Sequence, residues 1–386
     1  MTILAVLHQE TRRSCVRCVM DTSDPDITFD QAGLCNHCLQ YDARRQHELP
    51  DPDERDALLA DIVAKIKASG KGKPYDCVIG LSGGVDSSYV ALQVKRLGLR
   101  TLGVHLDNGW NSDAAVSNIN QIVTRLGIDL HTHVLPWEEF RDLQKSFFRA
   151  SVVNCEMPTD HAILAVLFSV AAKYRVKYIL SGSNFVSEGI FVPMAWGYDY
   201  RDWRNLKAIH RTFGTTPLHT YPRLPLRKLA WHVGVNRLKF FPILNYVEYV
   251  KSAAITELID TLGWRPYGRK HGESHFTRFY QEHYLVKKFG YDKRRLHLSV
   301  LINSGQISRI DALAQLEQPL YTPEELRESV SFVCKKLGFS ESEWHEIMSM
   351  PPLSHFSFHT NPLLARNSII YNWGRRIVTG RPAIKQ

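Results

Sequence analysis

Ser82-Gly83-Gly84-Val85-Asp86-Ser87-Ser88 lies between an apolar run at 76–81 and a helical pattern at 85–97. Two adjacent glycines let the backbone turn sharply and pass close to a ligand. Hydroxyls beside the first amides of a helix then make a donor-rich nest for phosphate oxygens. Such a loop ends a strand and starts a helix at one point, which is how an open α/β sheet is built. The following sequence agrees. Strand patterns at 101–106, 130–135 and 178–180 alternate with helical patterns at 114–126, 137–150 and 159–174. Each strand runs into polar or glycine-rich residues, the place where open α/β sheets bind ligands.

The loop also restricts the chemistry. Asp86 would repel a bare phosphate, so a bridging Mg²⁺ is expected between them. There is no Gly-x-x-x-x-Gly-Lys spacing, which makes a γ-phosphate-cleaving P-loop a poor match. The bland alternative is a glycine turn with capping serines.

Seven cysteines are unevenly spread: Cys15, Cys18, Cys35 and Cys38 crowd together, while Cys77, Cys155 and Cys334 are scattered. Two Cys-x-x-Cys pairs on two knuckles suit tetrahedral zinc. Four thiolates leave no open position for water, so the expected Zn²⁺ is structural, with His37 a neighbour and not a ligand. Four independent buried thiols are the alternative. Pro50-Asp51-Pro52-Asp53 closes this loop-rich module, and a helical pattern at 54–67 follows.

With 386 residues, the chain is long enough for more than one core. Its hydrophobic and charged fractions, 44% and 23%, exclude disordered and collagen-like classes. No apolar run is long enough for a membrane-spanning helix, and the start at 1–8 has no signal-peptide pattern, so the expected location is cytoplasmic. The net charge of +9 is polarised: 1–48 carries −2, 49–195 carries −1 and 196–386 carries +12. An anionic partner is therefore expected at the C-terminal half. Beyond residue 184 the strand–helix rhythm gives way to aromatic and basic residues, with helical patterns at 247–262 and 320–350. The stretch 224–249 reads as a core helix with a charged edge, or as a surface for peripheral membrane association.

The loop resembles the pyrophosphate loop of the ATP-pyrophosphatase (PP-loop) superfamily. That resemblance implies cleavage of ATP between its α and β phosphates, with AMP passed to a substrate oxygen. It also implies that Ser82, Gly83, Gly84, Asp86, Ser87 and Ser88 hold the pyrophosphate and its Mg²⁺. Asp107, in Leu106-Asp107-Asn108-Gly109, and Ser181, Gly182 and Asn184 resemble that superfamily's nucleoside contacts.

More narrowly, the chain resembles the N-acetyl sugar amidotransferases, the family of the WbpG and PseA proteins of surface-glycan and lipopolysaccharide O-antigen synthesis. The likeness lies in Cys18-Val19-Met20-Asp21-Thr22-Ser23-Asp24-Pro25-Asp26-Ile27, in the loop, in 104–112, in 270–278 and in 289–302. The expected fold is α/β: a doubly wound, parallel five-stranded sheet of the PP-loop type. The expected domains are a four-cysteine zinc module at 1–48, an ATP domain at 49–195 and a mostly helical, basic substrate domain at 196–386. The resemblance implies conversion of the N-acetyl group of a nucleotide-linked sugar to an acetamidino group, using ATP and ammonia.

Residues 265–309 hold ten basic and three acidic residues, a surface suited to a sugar-nucleotide diphosphate or a uronate carboxylate. Lys270, Arg278, Lys293 and Arg294 are the candidate substrate-binding residues. Asp86, Lys270 and Arg278 are the candidate catalytic ones, and Glu273 and His271 are candidates for proton transfer. A fused glutaminase would need a cysteine at the position of Thr2 or in a Gly-x-Cys-x-Gly elbow, and neither is present. A separate class I glutaminase partner is therefore expected, and no nucleic acid. The rival readings are a zinc-bearing tRNA thiolase, disfavoured because Cys155 has no nearby partner cysteine, and a non-catalytic zinc assembly subunit.

Overall fold

The computed structural model describes residues 12–268 and 272–364. The second cysteine pair, Cys35 and Cys38, opens helix α1 (Asn36–Glu48), and α2 (Pro52–Gly70) follows with proline in its first turn. Strand β1 (Cys77–Gly80) leads through the glycine loop into α3 (Val85–Arg96), and β2 (Thr101–Asp107) into α4 (Asp113–Leu126). Ser112 caps α4 by accepting from the Ala115 amide, and Gly127 ends it in the left-handed conformation that glycine adopts without steric cost. Then follow β3 (Asp129–Val134), α5 (Trp137–Arg149), α6 (Met157–Lys173), β4 (Tyr178–Leu180) and the single turn α7 (Phe185–Glu188).

All five strands are parallel, in the order β3-β2-β1-β4-β5. The order reverses direction beside β1, placing a crevice at the carboxyl end of the strand that carries the loop. In β1, Cys77 and Ile79 enter one core while Val78 enters the other, as a strand covered on both faces requires. Helices α2, α3 and α4 cover the first face, and α6 covers the second.

The fifth strand comes from beyond the expected domain boundary. After α8 (Trp203–Phe213) and α9 (Leu226–Gly234), β5 (Lys239–Phe241) pairs with β4 through Tyr178↔Lys239 to Leu180↔Phe241. A division at 195 therefore cuts the sheet. Likewise 224–249 is not one helix: it holds α9, β5 and a 3₁₀ turn at Ile243–Tyr246. Its aromatic residues mask a three-residue edge strand too short to show alternation.

Helix α10 (Lys251–Leu262) returns to the first face of the sheet. Beyond it the chain is helical: α11 (His275–Phe279) running into a π-helical stretch (Tyr280–Phe289), then α12 (Lys293–Asn303), α13 (Arg309–Glu317), α14 (Pro323–Leu337) and α15 (Glu341–Ser349). Thr322 and Glu325 form a reciprocal capping box at the start of α14. Gly338 and a second capping box at Ser340 split the helical pattern at 320–350 in two. An aromatic core of Trp110, Phe147, Phe148, Phe276, Tyr284 and Trp344 joins these helices to α5. Among the described residues, no helix is long and apolar enough to cross a membrane. Phe148 is fully buried and meets four rings edge-on. Phe148→Ala is expected to remove about 4 kcal/mol of stability, measured as a fall in the urea midpoint.

Candidate functional site

A cavity of about 750 Å³ opens at the carboxyl ends of the strands. Gly80–Ser82, Val104–Leu106 and Leu180–Ser183 form its floor, and the glycine loop forms one wall. Gly83 takes φ +79, and a Cβ there would stand 2.6 Å from the Ala115 carbonyl oxygen, so only glycine fits. The Gly83 carbonyl accepts from Trp264 Nε1 (3.1 Å) and Asn118 Nδ2 (3.2 Å). The Val85 amide donates to the Tyr267 hydroxyl at 3.1 Å. Inside the loop, Ser87 Oγ (3.1 Å) and Ser88 Oγ (2.6 Å) both donate to the Gly84 carbonyl. Ser82, Gly84, Asp86 and Ser87 line the cavity. Ser88 is fully buried and clamps the loop from behind.

Asp86 is held at one oxygen. Tyr249 donates to Oδ1 at 2.5 Å and Asn184 Nδ2 donates to the same atom at 3.2 Å. Burial, with the Asp86 charge second, pushes the Tyr249 phenol far above its ordinary range, so it remains a donor. Ser181 and Gly182 line the cavity, and the loop packs closely on Gly182: a Cβ there would come 3.0 Å from the Asp86 carbonyl carbon. At the end of β2 the lining residue is Asn108, whereas Asp107 folds the turn by accepting from the Gly109 amide at 2.9 Å.

The opposite wall comes from the C-terminal helices, and a short backbone pairing brings them there. Asn111 and Ser274 form an antiparallel bridge in which the Ser112 amide donates to the Glu273 carbonyl (2.9 Å) and the His275 amide to that of Trp110 (3.0 Å). The stretches 104–112 and 272–278 thereby meet beside the loop, with Glu273 on the lining. Lys293 and His297, on α12, complete this side with Thr277, Gln281, Glu156 and Asp160.

Two expected substrate residues lie elsewhere. Arg278 does not line the cavity: it pairs with Glu282 (3.1 Å) and Glu325 (3.6 Å) and stacks over Tyr321. Arg294 is consumed by Asp292 and the carbonyls of Gln315, Leu316 and Gln318, tying α12 to α13. Lys270 and His271 lie outside the described residues. Among the described residues the lining carries Lys251 and Lys293 against Asp86, Glu156, Asp160, Glu188 and Glu273, which is not the basic cleft expected from the charge count. Burial, followed by the neighbouring Glu156 charge, pushes the Asp160 carboxyl up to about 7, with Lys293 pulling the other way.

The four clustered thiols form a second centre. Their sulfurs all lie within 4.8 Å of one another, with Cys15···Cys38 at 3.9 Å and Cys18···Cys35 at 3.7 Å. Tetrahedral zinc with Zn–S of about 2.3 Å requires sulfurs about 3.8 Å apart, so the set fits one such ion. Amides of Met20 and Cys35 and Asn303 Nδ2 point at three of the sulfurs, at 3.3–3.4 Å, as expected around thiolates. His37 instead bonds Asp24 at 2.6 Å. The module sits on α12 and its neighbours. Arg309 donates to the Cys15 and Cys18 carbonyls (both 3.1 Å), Arg295 to that of Val19 (3.0 Å), and the Val19 amide to Ser299 (3.2 Å). The helix that carries Lys293 and His297 into the cavity is thus braced by the cysteine module.

Stripping metal with a chelator is therefore expected to raise hydrogen exchange across 293–303 and to lower the unfolding midpoint by at least about 5 °C. Unchanged exchange there would mean that the module does not brace the helix. For Asp160 the folded-state value of about 7 stands above the ordinary 3.8, so stability is lost as pH rises from about 4 to about 7. Asp160→Asn is expected to be more stable than the wild type at pH 8, with the advantage shrinking toward pH 4, as read by thermal unfolding.

Comparison with known proteins gives two family matches. Residues 75–258 match the asparagine synthase family and residues 273–372 match the family described as LPS biosynthesis protein WbpG-like, C-terminal domain. A tRNA-specific 2-thiouridylase, MnmA 2, of Fusobacterium nucleatum is 28% identical over 27% of this chain and 32% of its own length. A glutamine-dependent NAD(+) synthetase of Aquifex aeolicus is 26% identical over 42% of this chain and 30% of its own length. The chain thus spans about a third of these curated relatives. Among solved structures, an NH3-dependent NAD synthetase of Campylobacter jejuni (14% identity, TM-score 0.33) covers 79% of this chain with 99% of its own. An NMN synthetase of Francisella tularensis (14%, TM-score 0.35) covers 79% with 98%. The chain thus carries a segment similar to the asparagine synthase family, followed by a segment similar to the WbpG-like C-terminal domain.

Proposed function

We propose that the chain is an ATP-dependent amidotransferase that converts the N-acetyl group of a nucleotide-linked sugar to an acetamidino group. The observation that carries this reading is the bridge at Asn111 and Ser274, which makes the PP-loop and the WbpG-like domain two walls of one cavity. An amide carbonyl is a poor electrophile, and its oxygen leaves badly as hydroxide. Attack of that oxygen on the α-phosphorus of ATP releases pyrophosphate and forms an imidate bearing AMP. Ammonia then adds to the imidate carbon, AMP departs with the former amide oxygen, and the amidine remains.

The chain's own residues suit these tasks. The amides and hydroxyls of Ser82, Gly84 and Ser87 would receive the pyrophosphate. Tyr249 and Asn184 both occupy Oδ1 of Asp86, which leaves Oδ2 for a cation; a bound Mg²⁺ would offset the charge of the departing pyrophosphate. Lys293 would contact the anionic part of the sugar nucleotide from the far wall, and enclosure would keep water from the activated imidate. Zinc at Cys15, Cys18, Cys35 and Cys38 would serve as a structural ion.

All seven cysteines are buried, and burial pushes the Cys77 thiol up to about 12 and the Cys155 thiol higher still. That disfavours sulfur transfer and supports ammonia arriving from a separate class I glutaminase. The test is mass spectrometry of UDP-linked N-acetylated sugars and sugar acids incubated with the protein, ATP, Mg²⁺ and ammonium. The expected product shows the small mass loss of O replaced by NH, with AMP and pyrophosphate formed in equal amounts. Asp86→Ala is expected to lower pyrophosphate release at least about 100-fold. ATP turnover stimulated by bulk tRNA and by no sugar nucleotide would overturn the reading.

A further inference from the structure

Among the described residues, the cavity lining does not hold the excess positive charge of the C-terminal half, and part of that charge lies at the opposite end of the sheet. Residues 203–247 contain eight Lys and Arg and no Asp or Glu, and 173–177 contain three bases and no acid. Arg175 and Lys177 lie just ahead of β4, and Arg237 lies two residues before β5 starts at Lys239. The Lys239 amide donates to the Lys177 carbonyl at 2.8 Å, so these two approaches lie side by side. Lys73 joins them: its ammonium is lowered first by burial and then by repulsion from Lys177 and Arg175. Helix α9 packs on α6 through Phe168 and His232 (5.8 Å) and adds Arg227 and Lys228. Lys173, Arg175, Lys177, Arg227, Lys228, Arg237 and Lys239 are all exposed.

Two features set this face apart from ordinary surface charge. Arg175 and Arg237 both adopt left-handed backbone, at φ 56 and φ 53, within three residues of the starts of adjacent strands. Glycine or asparagine takes that conformation with less strain, so each arginine holds its place against the local backbone preference. The second feature is apolar. Trp231 and Val235, one helical turn apart at the end of α9, are 56% and 57% exposed among these bases. An exposed tryptophan on a helix that also carries exposed Arg227 and Lys228 matches the boundary between lipid headgroups and acyl chains. A nucleic acid would use the charge but gives no role to Val235. Since the strands are parallel, docking at their amino ends leaves the cavity at their carboxyl ends facing water.

We infer that the face formed by Arg175, Lys177, Arg227, Lys228, Trp231, Arg237 and Lys239 docks on an anionic membrane surface. The lipids recognised are those with phosphate headgroups of net negative charge, held electrostatically and by shallow insertion of Trp231. The inference is independent of the reaction proposed above.

Co-sedimentation of the full chain with vesicles of phosphatidylcholine alone, and of phosphatidylcholine mixed with phosphatidylglycerol, tests it. Binding is expected only to the mixed vesicles, weakening as salt is raised. The double variant Arg175→Gly/Arg237→Gly is expected to bind about 30-fold more weakly, at roughly fivefold per arginine. Its unfolding midpoint is expected to equal or exceed that of the wild type, because strain is relieved. Trp231→Ala is expected to weaken binding further, with the blue shift of tryptophan fluorescence on vesicle addition reduced. Binding by the double variant at wild-type strength, or equal binding to uncharged vesicles, would overturn the inference. So would bulk RNA displacing the protein from vesicles through the same arginines.

Discussion

Two backbone hydrogen bonds, from Ser112 to Glu273 and from His275 to Trp110, connect parts of the chain more than 160 residues apart. They act like a single rung of antiparallel sheet added to the rim of a parallel one. Because the rung is backbone, it sets the height of the C-terminal wall above the glycine loop without depending on any one side chain. Trp110 then anchors it from below, with its indole donating to buried Gln144 and its ring set against Phe276. The cavity, the position of Glu273 beside the loop and the course of the helices after α11 all follow from this junction.

The sheet was largely legible because its first four strands end in polar residues and its helices have clear periods. β5 escaped detection since three residues cannot display alternation, and its residues Phe240 and Phe241 read as generic aromatic content. The loop residues were legible as a motif, but not the residues that hold the loop. Asn118, fully buried on α4, and Trp264, Tyr267 and Tyr249 act through the fold, and nothing near them in sequence links them to residues 83–86. A polar residue at a buried helical position, as Asn118 is, was the one available signal.

Charge was the least reliable guide to the site. A sum over 196–386 treats every arginine as available, yet Arg278, Arg294, Arg295 and Arg309 are spent on carboxylates and carbonyls that join helices and modules. Guanidinium groups suit that role because one planar fork satisfies several acceptors. Among the described residues the cavity lining in consequence holds more carboxylates than ammonium groups.

The docking of the cysteine module on α12 also governs the order in which the chain can mature. Val19 and Ser299 are 280 residues apart, and Cys38 and Asn303 265. During synthesis the module emerges well before α12, so the apolar side that receives Leu296 and Val300 stays uncovered until that helix has been made. Contacts of such separation close late and slowly. The cysteine module is thus an early platform awaiting a late partner, and its uncovered interval exposes the nascent protein to aggregation and its thiols to oxidation.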